Sequence, residues 1–168
     1  MADTGFFNPQ TIASHLKLAP GMQVADFGCG SGEIAIMFAQ AVAPDGHVTA
    51  IDVLPSALES LTVKVKAEKI TNIISLRANL EVPGSSGLVD QSQDLVFMAN
   101  ILWQSPNKSD ILAEAKRVLK SGGTLAVIEW KSKLSEGELT ALMKENGFTI
   151  TTVVPGGTHH YGVLAINS

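Results

Sequence analysis

The chain has 168 residues, twelve basic and sixteen acidic for a net charge of −4, and 45% of it is hydrophobic. That length and apolar content fit one domain over 1–168 with a buried core, and they exclude a charge-rich disordered chain. The longest strongly apolar run without a charge, 34–44, falls short of the about 20 residues a membrane span needs, and no Lys/Arg-rich run points to nucleic acid or an anionic membrane.

Met1-Ala2-Asp3-Thr4 lacks the basic and apolar regions of a signal peptide, so a cytoplasmic chain is expected. Asn8-Pro9 reads as a helix start, a capping residue before a proline suited to the first turn. Ile12 and Leu16 then share a face, and Pro20-Gly21 ends that N-terminal helical segment. A strand over 24–27 runs into Gly28-Cys29-Gly30-Ser31-Gly32, and an apolar helix over 33–43 follows. The second strand spans 47–51 and ends in Asp52. A helix over 55–69 carries Leu58, Leu61 and Val65 on one side, although Val63-Lys64-Val65-Lys66 alternates like a strand.

The third strand covers 73–76 and a loop over 79–93 leads to a fourth at 94–98. A helix over 109–119 buries Ile111, Leu112, Ala115 and Val118 and is closed by Ser121-Gly122-Gly123. The fifth strand spans 124–129. Ser135 with Glu138 makes a capping box for a helix ending before Gly147. The tail then changes character: strands over 149–154 and 161–166 flank Pro155-Gly156-Gly157 with no helix between, a hairpin. Alternating strands and helices imply a doubly wound parallel α/β sheet in three layers, and the hairpin adds one antiparallel strand. Sites in such sheets lie beyond the C-terminal strand ends.

The loop Gly28-x-Gly30-x-Gly32 lets backbone approach a ligand closely, or it is a tight turn without one. A dinucleotide fingerprint would place a third Gly or Ala at position 33, where this chain has Glu33. A carboxylate in that first turn suits the helix dipole and repels a pyrophosphate, so a ligand without phosphates fits better. Asp52 either holds a ribose diol with its two oxygens or caps the helix that starts at Pro55. Cys29, the one cysteine, makes no internal disulfide and no zinc site of its own, and no metal site is expected.

The stretch Val24-Ala25-Asp26-Phe27-Gly28-Cys29-Gly30-Ser31-Gly32 resembles the first motif of the class I S-adenosylmethionine-dependent methyltransferases. Asp52 matches their ribose-binding acid, and Asp94-Leu95-Val96-Phe97-Met98-Ala99-Asn100 their fourth-strand motif. The segment from Ala113 through Gly122-Gly123 to Leu125 is similar to the helix, glycine turn and fifth strand that follow. The likeness covers nearly the whole chain and extends to the group that includes ubiquinone- and menaquinone-biosynthesis enzymes. It implies a Rossmann-like sheet of strand order 3-2-1-4-5-7-6 with the last strand antiparallel, S-adenosylmethionine as cofactor and S-adenosylhomocysteine as product. The resemblance also implies that Gly28, the Cys29 backbone, Gly30 and Gly32 line the methionine moiety while Asp26 orients that loop. It further implies that Val53 packs on the adenine, that Asn79 and the Leu80 amide bond it, and that Asn100 and Ile101 lie beside the methionine end. Many members carry Asp where Asn79 stands; an amide oxygen still accepts.

An activated methyl needs chiefly an aligned nucleophile and excluded water, so no fixed acid–base pair is obligatory. His159 and His160 are candidate proton acceptors on the hairpin loop, or two exposed loop histidines. Gln104 and Trp103 follow the fourth strand, where they contact an acceptor or, for Trp103, join the core or face the sulfonium by cation–π attraction. Glu129 and Lys131 read as a solvated ion pair. Asn100-Ile101-Leu102-Trp103 lacks the Pro-Pro-aromatic pattern of base-amino methyltransferases, and Cys29 is misplaced for pyrimidine C5 chemistry and alone where arsenite methylation needs several thiols. With no inserted substrate domain seen, Phe6 and Phe7 in the N-terminal segment 1–20 are expected to form an apolar lid. A small-molecule acceptor is expected; the alternatives are a protein or RNA methyltransferase, a non-catalytic nucleoside-binding adaptor on the same fold, or a nicotinamide-dependent oxidoreductase, which Glu33 disfavours. The sequence does not choose between a monomer and a homodimer.

Overall fold

The computed structural model describes residues 9–168. Near-continuous apolar runs along short strands give both faces of one sheet something to bury, and the helices between them cover those faces. In chain order the elements are α1 (Pro9–Ala13), β1 (Gln23–Phe27), α2 (Glu33–Val42), β2 (His47–Asp52), α3 (Pro55–Ala67), β3 (Ile73–Arg77) and β4 (Gln93–Ala99). A 3₁₀ turn (Leu102–Gln104), α4 (Lys108–Val118), β5 (Leu119–Trp130), α5 (Glu136–Glu145), β6 (Phe148–Pro155) and β7 (His160–Asn167) follow. The sheet order is β3-β2-β1-β4-β5-β7-β6, as the family resemblance implies. Its pairs are parallel from β3 to β5, and β7 lies antiparallel between β5 and β6.

Strand alternation separates two cores. Ala25, Phe27, Val96, Met98, Leu125 and Val127 face α4 and α5. Val24, Val48, Ala50, Leu95, Phe97 and Ile128 face α1, α2 and α3. Ser135 Oγ accepts the Glu138 N–H while Glu138 Oε2 accepts the Ser135 N–H at 2.9 Å, the expected capping box. The alternation in Val63-Lys64-Val65-Lys66 does not make a strand. Leu61 is wholly buried, Leu58 and Val65 pack beside it, and Val63 points outward, so helical periodicity matches the one available core.

Three expectations need correction. The N-terminal helix is a single short turn, although Ile12 and Leu16 are buried as anticipated; Asn8 as a cap and Phe6 and Phe7 as a lid lie outside the described residues. Ser121-Gly122-Gly123 does not separate helix from strand. β5 begins at Leu119, and its pairing with β4 passes from Gln93↔Leu119 to Leu95↔Thr124, so these residues bulge from the ladder with Gly122 at φ 75°. His160 belongs to β7 and is buried, not to an exposed loop.

Candidate active site

The glycine loop leaves β1 at the C-terminal edge of the sheet. Gly28, Gly30 and Gly32 all have positive φ, 78°, 53° and 87°. The N–H groups of Gly28 and Cys29 both donate to Ile51 O, which ties the loop to β2. Asp52, at the end of β2, accepts the Gly30 N–H on Oδ2 and the Leu54 N–H on Oδ1, each at 2.9 Å. It therefore holds the loop and also serves the residue that caps α3. Glu33, in the first turn of α2, pairs with Lys64 of α3 and accepts from Ser31 Oγ, so its pKa is lowered by Lys64 first and Ser31 second.

A cleft of about 390 Å³ opens above this edge. Gly28, Gly30, Asp52 and Val53 form one wall, and Asn100, Ile101 and Gln104 the other. Asn79 and Leu80 close it from β3. Of the expected binding residues, Asp26, Cys29 and Gly32 do not line it. Asp26 and Cys29 are buried, and Gly32 is needed because a Cβ would overlap Leu61 Cδ1. Val53 and Leu54 present exposed apolar side chains at the end of β2. Asn79 Oδ1 accepts the Glu81 N–H at 3.1 Å, an oxygen with a second lone pair still to offer. Leu54, Glu81, Ser105 and Ile111 are lining residues the sequence reading missed. Glu81 accepts from Ser105 Oγ and Asn107 Nδ2, bonds that join the β3 side to the β4 side and hold its pKa below the usual carboxylate range. No sequence signal links positions 81 and 105.

Two buried acceptor oxygens in this region have no hydrogen-bond partner among the described residues, Asp26 Oδ2 and Asn100 Oδ1. Burial, and then the nearby Asp52 charge, push the Asp26 carboxyl up to about 7. Cys29 is likewise driven well above the ordinary thiol range by burial and both carboxylates, which leaves it an unreactive thiol. Asn100 has φ 59°, a left-handed conformation rare for a side-chain-bearing residue.

The pair Glu129 and Lys131 is not a solvated ion pair. Glu129 is wholly buried, accepts the Leu102 N–H at 2.8 Å, and is raised to about 7 by burial, with the Leu102 and Trp103 amides opposing. Lys131 Nζ donates to the carbonyls of Gly157 and Thr158. The signal for Glu129 was present: period two places it on the same face as Leu125 and Val127. Trp103 packs against the core, with Lys133 Nζ 5.2 Å from its ring centre as the cation on its face. His160 packs against Trp130 at 4.0 Å between ring centres, its pKa lowered by burial, His159 and Lys131; exposed His159 stacks on Trp130 at 6.0 Å. Neither histidine lines the cleft, whereas Gln104 does. Among the described residues no His/Cys/Asp/Glu group is arranged to hold a metal, and no helix is long and apolar enough to cross a membrane.

Residues 18–164 match the methyltransferase domain family. A demethylmenaquinone methyltransferase of Listeria welshimeri is 34% identical over 115 residues, 68% of this chain and 47% of that protein. An arsenite methyltransferase of Halobacterium salinarum is 30% identical over 123 residues, 73% of this chain and 30% of that protein. The chain spans about half the length, or less, of the curated relatives it matches. The crystal structure of a SAM-dependent methyltransferase from Aquifex aeolicus superposes with a TM-score of 0.88 at 28% identity, covering 98% of this chain and 92% of that one.

Proposed function

Since the chain belongs to the class I S-adenosylmethionine-dependent methyltransferases, we propose that it transfers the methyl group of S-adenosylmethionine to a small-molecule acceptor. The observation that carries this reading is the charge of the cleft. Asp52 and Glu81 line it, and no Lys, Arg or His does so among the described residues. Such walls suit a cationic nucleoside without phosphates and oppose a pyrophosphate. The orphaned oxygen Asn100 Oδ1, on a residue that lines the cleft, suits the cofactor's ammonium group, and the open space facing Gly30 suits close backbone approach. That the relatives are named for demethylmenaquinone and arsenite, both small molecules, supports the acceptor class. The chain's single cysteine is buried, which sets arsenite itself apart.

In this reading Asp52 holds the ribose diol, Val53 packs on the adenine, and Asn79 with the Leu80 amide bonds its edge. The backbone from Gly28 to Gly32 cradles the methionine part, with Asn100 and Ile101 opposite. When bound, the cofactor would supply an electrophilic methyl on a sulfonium, to whose carbon the acceptor's lone pair would bond in line as the carbon–sulfur bond breaks and its electrons leave on the sulfur of S-adenosylhomocysteine. The chain's residues bind, orient and exclude water. With both histidines outside the cleft, the rate rests on alignment.

Calorimetry should show binding of S-adenosylhomocysteine and none of NAD. Asp52→Ala should weaken that binding by roughly 1.5–3 kcal/mol, the worth of a charge-assisted hydrogen bond, with Asp52→Asn between the two. Unchanged affinity in a folded Asp52→Ala protein removes the ribose assignment. A labelled-methyl screen over fractionated metabolites, proteins and RNA then identifies the acceptor, and label appearing only in protein or RNA overturns the small-molecule reading.

A further inference from the structure

A carboxyl group buried in a sheet face is a costly way to fill space that an apolar side chain of similar size fills without desolvation. Glu129 is such a group, wholly buried at the C-terminal end of β5. One of its oxygens, Oε1, accepts the Leu102 N–H, and the other has no hydrogen-bond partner among the described residues. The preceding residue, Ile128, offers its carbonyl to the Asn100 N–H at 2.9 Å. Two consecutive residues of β5 thus anchor the segment 100–104 by which the chain leaves β4, one through main chain and one through a side chain.

That segment is a wall of the cleft. Asn100, Ile101 and Gln104 line it, and Gln104 Nε2 closes the turn by donating to Asn100 O. Ile101 Cγ2 occupies the space a Cβ at Gly28 would need, so the wall packs directly on the glycine loop. The left-handed backbone at Asn100 is a conformation that persists only when its surroundings over-determine it. The Ile128 carbonyl alone fixes one end of the turn; Glu129 fixes its middle.

We propose that Glu129 is a positioning residue, which through the Leu102 N–H holds the 100–104 turn against the glycine loop and so sets the cleft at its methionine end. Glu129 touches neither cofactor nor acceptor and acts through Leu102. The Glu129 carboxyl oxygen Oε1 accepts that N–H whether or not the other oxygen carries a proton, so a side-chain amide oxygen can take its place. The proposal rests on the methyltransferase reading above.

The test compares wild type with Glu129→Gln, Glu129→Leu and Glu129→Met by calorimetric titration with S-adenosylhomocysteine and by thermal melts. Trp103 lies in the turn, and in a Trp130→Phe background it is the one remaining tryptophan of the two in the chain. Its quenching by acrylamide reports on the turn directly. The Gln variant should bind within threefold of wild type. The Leu and Met variants should melt at or above the wild-type temperature yet bind at least tenfold more weakly, with Trp103 more accessible to quencher. Loss of binding without loss of stability is what a merely structural carboxyl would not produce. Leu or Met variants that bind within tenfold of wild type, that lose binding only along with several degrees of melting temperature, or that both fail to fold overturn the proposal. A Gln variant as impaired as the Leu variant also overturns it. If wild type itself does not bind S-adenosylhomocysteine, the methyltransferase reading falls as well. Wild-type binding with an unaffected Leu variant sinks this proposal alone.

Discussion

At Gly30 an added Cβ would meet no protein atom, whereas at Gly28 and Gly32 it would overlap Ile101 Cγ2 and Leu61 Cδ1. The three glycines therefore answer to different constraints: packing at Gly28 and Gly32, and at Gly30 open space on the side where the proposed function puts the cofactor. Gly30→Ala should cost roughly 1–2 kcal/mol of stability from its left-handed backbone, and should abolish S-adenosylhomocysteine binding because its methyl enters the cleft. Gly32→Ala should cost a further roughly 1–3 kcal/mol from overpacking. Denaturant titration with parallel calorimetry checks both. A Gly30→Ala protein that binds normally would show that its loop backbone does not touch the cofactor. Asp52 illustrates the same point about single residues. The sequence left two readings of it open, a ribose holder and a cap for the helix that starts at Pro55; its two oxygens accept the Gly30 and Leu54 amides, so it serves the helix start through Leu54 while the ribose role belongs to the proposed function.

Among the elements, α4 holds the long connection between β3 and β4 in place. Glu114, buried on α4, accepts from the Gly84 and Ser86 amides and from Ser86 Oγ. Arg117, one turn later, bonds Glu114 at 2.7 Å, Asp90, and the Leu88 carbonyl. Burial alone would raise Glu114, but the bonds from Arg117, Ser86 and Gly84 outweigh it and hold its pKa at about 2. Arg117→Ala strands that buried charge. Breaking a buried pair costs roughly 3–5 kcal/mol, and the lower end applies here because the arginine side chain is 29% exposed. The variant should melt several degrees lower and expose the loop over 83–90 to limited proteolysis; an unchanged melt and cleavage pattern would show the pair to be idle. The Pro-Gly-Ser-Ser-Gly composition marked this loop, yet nothing local indicated that a glutamate some thirty residues later would organise it.

For the molecule as a whole, buried carboxyls set how stability depends on pH. Asp26 and Glu129 are both raised to about 7, above their ordinary values of 3.8 and 4.5. Between those ordinary values and about 7 the folded chain binds more protons than the unfolded one. Stability from these groups therefore falls as pH rises through that interval and is level above it. His160 acts in the opposite sense: its lowered pKa means stability is lost as pH falls below 6.5, where the unfolded histidine takes a proton. Glu114 contributes stability that is lost as pH drops from 4.5 toward 2. The comparison that isolates the carboxyls is wild type against the double variant Asp26→Asn with Glu129→Gln. Wild type should gain stability relative to it as pH is lowered from 7.5 to 5, and parallel melting curves across that range would refute the assignment.

Local pattern determined a good deal by itself. Short apolar runs marked the strands, apolar residues at helical spacing marked the helices, the Ser135–Glu138 box marked the start of α5, and glycine chemistry marked the loop after β1, because each depends on contacts within a few residues. Strand order came through family resemblance, since pairing between distant segments leaves no mark in periodicity. Only the tertiary structure decided which positions meet across that order. Placing β4 beside β1 sets Ile101 on Gly28, and placing β5 beside β4 brings Glu129 under the Leu102 amide. Placing β7 against β5 buries His160 on Trp130 and takes it away from the cleft. Burial and hydrogen-bond partners are properties of neighbours in space. A chain read one residue after another supplies each side chain's chemistry, while the packed sheet alone decides whether that chemistry faces water, ligand or core.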